Sequence, residues 1–166
     1  MIRVRFTKVI NGKVRLFEAD GRVGESFAAR EFMQQFGLAS MPKEGATGVI
    51  VYNGNYIVAI ASDDNRYRPN LNSGETAVYD AFGNVVHLSA NGIRAVSPKK
   101  VSAQAPELEL VGKVTIVGSL KVTETVVATG GISDAKGSME LIRQQFDGHH
   151  HNDSNQLPTS LPLEKM

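Results

Sequence analysis

Three consecutive histidines, His149, His150 and His151, are the residues best placed to do chemistry in this chain. They lie within Phe146-Asp-Gly-His-His-His-Asn-Asp. In an extended backbone, alternate side chains point to the same face. His149 and His151 then point together, and His150 points away. Two imidazoles make a poor metal site alone. Three copies around a threefold axis would offer six, enough for octahedral coordination, and imidazole suits iron, nickel, copper and zinc. The competing readings are a solvated run and a purification tag. A tag fits poorly, because the run is short and fifteen residues follow it.

Little else in the chain looks catalytic. His87 sits between Val86 and Leu88 and reads as a packed or surface residue rather than a general base. Asp63, Asp64 and Asp153 read as turn and cap residues. The absence of Cys excludes a disulfide framework, a thiol nucleophile and thiolate metal sites. There is no phosphate-binding loop and no Gly-x-Gly-x-x-Gly. No enzyme activity, catalytic residue or organic cofactor is expected.

The elements that must position the histidines are unevenly distributed. The chain has 166 residues and a net charge of +1, a balance that gives no support to general nucleic-acid binding. No apolar run approaches the roughly 18–20 residues that cross a bilayer, and the N-terminus lacks the apolar stretch of a signal peptide. Ten of the eleven aromatic residues precede residue 83. Aromatics dominate ordinary cores, so the first half can build one and the second half cannot easily do so alone. Ile2–Phe6, Lys13–Phe17, Thr47–Tyr52 and Tyr56–Ile60 read as strands, with Asn53-Gly54-Asn55 as a hairpin turn. Residues 25–36 are ambiguous, since Phe32 and Phe36 stand at helical spacing on a poor apolar face. About five short strands predict a small barrel of the OB type. Nucleic-acid binding by such a barrel is the minor reading, because no Lys/Arg cluster accompanies its aromatics.

Short strands continue at 77–80, 85–88 and 93–96. From residue 110 the even positions are apolar at eight of twelve places to residue 132, with Gly at three of the others. That alternation exceeds a normal strand of about 3–10 residues. A six-residue period overlies it: Gly112, Gly118, Glu124 and Gly130 recur, each with an apolar residue two places on. Such a repeat marks a β-helix or a related rod. One form is a single-chain hexapeptide β-helix, as in a small trimeric acyltransferase with a His base. The other is three chains wound together, with the even apolar positions facing a common axis. Cyclic threefold symmetry permits the second, and it would let three thin ribbons bury one another.

At this point the chain resembles a family. Ser40-Met-Pro-Lys-Glu-Gly-Ala46, Asp63-Asp-Asn-Arg-Tyr-Arg-Pro69 and Gly74-Glu-Thr-Ala-Val-Tyr-Asp80 look like consecutive blocks of the Mu-type phage baseplate central spike, also called the baseplate assembly protein V family. Asn84–Leu88 and Asn91–Ile93 continue the series, and Ser138–His151 looks like its tip. The resemblance implies an all-β homotrimer with an OB-type domain at 1–72, a three-chain β-helix stem at 73–135 and a tip at 136–166. One iron ion per trimer would be held at the tip by six histidines, which fall on His149 and His151 here. A pair one register over, using His150, is the alternative; relatives often carry Thr at that place, and Pro where this chain has Asn152. The implied partners are two further copies, baseplate hub and tail-tube proteins, and the host outer membrane, with no nucleic acid. The implied location is the tip of the tail baseplate in the virion, after synthesis in the host cytoplasm. A chain of this length leaves no room for an attached lysozyme domain.

Overall fold

In the computed structural model, residues 1–164 are described, in two compact units, Met1–Glu107 and Leu108–Met166. The first unit opens with β1 (Ile2–Ile10), β2 (Leu16–Asp20), β3 (Ser26–Phe32), β4 (Thr47–Asn53) and β5 (Tyr56–Asp63). These form a closed barrel in the order β1-β2-β3-β5-β4. Neighbours are antiparallel except β3 and β5, which close the barrel in parallel through Glu31↔Val58 and Phe32↔Ala59. Five strands closed in this order agree with the OB-type barrel expected from the strand pattern.

Three phenylalanines hold the barrel. Phe6 and Phe17 are fully buried, and Phe32 nearly so. The Phe6 ring lies 5.4 Å from both of the others, tilted at 57° and 47°. The ambiguous segment is a strand because Phe32 belongs to this cluster while Phe36 is fully exposed. A helix would have kept both on one face. Ala29, at φ 52°, puts a left-handed step into β3, beside an irregularity in its register with β2. The loop after β3 is pinned by Arg15, whose guanidinium donates to Gln34 and to the Ser40 carbonyl (2.9 Å).

Residues after the barrel are locked by local polar contacts. Asp64 receives hydrogen bonds from the Arg66 amide, Nε and Nη2 at 2.7–3.1 Å, and Arg66 also donates to the Glu44 carbonyl (2.8 Å). The Arg66 hydrogen bonds hold the Asp64 carboxyl below its ordinary pKa. The antiparallel meander β6 (Thr76–Tyr79), β7 (Val85–Ser89) and β8 (Gly92–Val96) completes the unit's strands. Asp80 fastens its first turn by accepting from the amides of Phe82 (2.8 Å) and Asn84 (3.0 Å).

The second unit is built differently. Residues 108–132 contain no strand, yet the chain bends at 112, 118, 123–124 and 129–130, following the six-residue period. Gly112 and Gly118 have φ of 130° and 127°, values that L side chains rarely adopt. The Leu, Val and Ile residues at the even positions of 108–132 are 45–68% exposed, whereas Val111, Val117 and Val127 are 83–97% exposed. A short hairpin, β9 (Ser133–Asp134) with β10 (Gly137–Ser138), leads into α1 (Met139–Gly148). Strand patterning alone does not anticipate α1. Its signals are the Ser138 cap, whose side chain accepts from the Leu141 amide (3.1 Å), and the helical spacing of Met139, Ile142 and Phe146. Among the described residues of this unit, none is buried.

The aromatic cluster yields a test. A Cβ at Gly48 would collide with the fully buried Phe6 ring, lying 2.8 Å from Cε1. Gly48→Ala should cost about 1–3 kcal/mol, as overpacking of a filled core does. Chemical denaturation followed by circular dichroism measures it, and an unchanged midpoint would contradict the packing.

Candidate metal site at the end of the helix

The histidines follow α1 directly. His149 caps the helix with extended dihedrals (φ −79°, ψ 150°), and its amide donates to the Phe146 carbonyl (3.3 Å). The chain leaves the helix at His149 in an extended conformation. The same-face expectation for alternate residues is met: the rings of His149 and His151 stand 5.3 Å apart, edge to face. His150 takes no part in that contact. The Phe146 ring also lies against His149, at 5.2 Å.

One nitrogen of His149 has a defined state. Nδ1 lies 2.5 Å from the Phe146 carbonyl oxygen. A carbonyl only accepts, so the proton is on Nδ1. In the neutral ring Nε2 then carries the lone pair. Metal-bound imidazoles commonly use this arrangement, with the second nitrogen donating to a carbonyl that fixes tautomer and orientation. Coordination would need one nitrogen of each ring about 2.0–2.1 Å from the same ion, the distance for a metal such as zinc. The two rings do not complete a site. Among the described residues, no group of three or more His, Asp or Glu side chains could hold a metal.

The tail after the histidines has structure that the residue pattern did not settle. Asn152 pairs with Pro158, and the chain turns back through Asp153–Leu157. Asp153 is a turn residue, as its type suggested: Oδ1 accepts from the amides of Asn155 (2.8 Å) and Leu157 (2.9 Å). Thr159 returns to His151, a contact with no local sequence signal because eight residues separate the two. His87, in the other unit, is half-buried with Nε2 3.1 Å from Glu75 Oε2. The Glu75 carboxyl is held below its ordinary pKa, chiefly by the Asn72 amide.

Nitrogen-detected resonance of neutral His149 should show a protonated Nδ1 and an unprotonated Nε2. The opposite tautomer would leave the Phe146 carbonyl without this donor and would contradict the contact.

Residues 6–66, which span most of the barrel, match the family described as Bacteriophage Mu Gp45, N-terminal. Among curated proteins, the chain is 28% identical over 123 residues to the baseplate puncturing device gp45 of Escherichia phage Mu. The alignment covers 72% of this chain and 57% of the relative, so the chain spans little more than half of that protein's length. Both comparisons support the resemblance carried by the sequence blocks, and the chain is similar to the Mu-type baseplate spikes.

Proposed function

We propose that this chain is a homotrimeric central spike of a contractile phage tail baseplate, a structural virion protein and not an enzyme. The observation that carries this reading is the lack of any buried residue among those described after Glu107. A ribbon with so much exposed apolar surface needs a partner surface. Copies of itself fit best. The large apolar residues at even positions are less exposed than the three valines at odd ones, as expected for a ribbon that turns one face inward. Bends at six-residue intervals suit a β-helix stem, and backbone pairing between chains would leave no free edges along it. The likeness to a baseplate puncturing device supports the biological setting.

In this reading the barrel seats the spike among hub and tail-tube proteins at the baseplate tip. The stem transmits the thrust of contraction, and the pointed end breaches the host outer membrane. Met139, Ile142, Phe146 and His149 are spaced 3, 4 and 3 residues apart, the seam spacing of associating helices. That seam would bring His149 of each copy toward the axis, with His151 beside it. Iron is the metal implied by the resemblance; it would join the three chain ends through His149 and His151, a structural task. The chain's net charge of +1 gives no support to general nucleic-acid binding.

Native mass spectrometry of untagged protein should give about 54 kDa, three chains of 17.9 kDa each, with one metal per three chains. A monodisperse folded monomer at micromolar concentration would overturn the trimer. Val122→Asp places a charge at an even position and should abolish the trimer, because burying unpaired charge costs several kcal/mol. Val127→Asp, at an odd and highly exposed position, should leave it intact. Equal effects would remove the facing argument.

A further inference from the structure

His149 and His151 are anchored from opposite directions. The helix before them holds His149 through Phe146. The segment after them holds His151. Its amide donates to Thr159 Oγ1 (3.0 Å), and its carbonyl accepts from the Thr159 amide (2.6 Å). Both backbone groups of His151 are therefore engaged by one residue.

A tight hairpin delivers Thr159 to that place. The Asp153 amide donates to the Leu157 carbonyl (2.7 Å), and the Gln156 amide to the Asp153 carbonyl (3.1 Å). Gln156 sits at φ 67°, the left-handed residue that ends a three-residue hairpin loop. The Asp153 carboxylate satisfies two more amides of the loop. Pro158 lacks an N–H, and it sits at the bridge to Asn152. No residue of this region is buried, so these polar contacts carry its order.

We infer that residues 152–159 form a clamp that sets the orientation of His151 relative to His149, with Thr159 and Asp153 as positioning residues. The inference rests on the reading of those histidines as ligands, and its purpose is to hold the imidazole pair ready before any ion arrives. Fixing the backbone on either side of a ligand leaves only its side-chain rotations to be ordered on binding. Groups that orient ligands without touching the metal typically change its affinity by about 10–100-fold when removed.

The test uses the untagged full chain and four variants. Thr159→Val keeps the shape and removes the oxygen. Thr159→Ser keeps the oxygen. Asp153→Ala removes the loop acceptor, and Gln156→Gly relieves the left-handed position. Two quantities are measured: amide hydrogen exchange at His151, Leu157 and Thr159 in metal-free protein, and release of ferrous iron to a chelator after loading. Thr159→Val and Asp153→Ala should speed exchange at His151 and accelerate iron release by about tenfold or more. Thr159→Ser should behave as the parent, and Gln156→Gly should slow both. An unprotected His151 amide in the parent chain overturns the clamp. So does parent-like iron release from Thr159→Val. A parent chain that takes up no iron, yet shows protected amides lost in Thr159→Val, keeps the clamp and overturns the ligand reading instead.

Discussion

Apolar bulk available for burial is the constraint on which this molecule depends. Phe6, Phe17 and Phe32 meet inside the barrel, joined by Ile50, and that packing lets the first unit stand as an ordinary folded body. The second unit has no equivalent. Its Val, Leu and Ile side chains are exposed along a segment that makes no strand from 108 to 132. Burial of apolar surface is the main favourable term in folding, so the two halves reach order by different means. The barrel holds itself. The ribbon's exposed apolar residues are the physical basis for the proposed assembly.

Where burial is missing, short polar side chains take over locally. Asp134 receives the amides of Lys136 and Gly137, Ser138 caps α1, Asp153 closes the terminal turn and Thr159 reaches His151. Each such hydrogen bond contributes about 0.5–1.5 kcal/mol net, and these are exposed. They choose a conformation more than they stabilise one. In the proposed spike, local bonds would set direction, while association and coordination would supply strength.

The blocks that carry the family resemblance turn out to be locks on the backbone. Within Asp63–Pro69, Asp64 receives Arg66, and Arg66 reaches across to Glu44. Within Gly74–Asp80, Glu75 receives Asn72 and stands beside His87, while Asp80 closes the turn into β7. Lys43 lies over both Tyr67 and Phe82, tying two of the blocks together. Their specificity comes from turn geometry, which few residue combinations satisfy.

How much was legible in the residues depended on the range of the interaction. Alternation and turn signals marked the barrel and meander strands, because a strand's facing repeats every two residues. The pairing of His149 with His151 was legible for the same reason, once the chain there was taken as extended. The six-residue period likewise marked where the ribbon bends, since Gly112 and Gly118 take backbone angles open to few other residues. Segment 25–36 could not be assigned from its own pattern, because the burial of Phe32 depends on Phe6, distant in the chain. The parallel closure of β3 on β5 is likewise nonlocal. The Thr159 clamp was illegible too: it requires a turn at Asp153 and a left-handed Gln156 acting together. Local patterns determined which segments are strands, where the chain turns and which histidines face one another. The tertiary structure decided which aromatics meet and what holds His151, because those contacts join residues whose spacing along the chain carries no period.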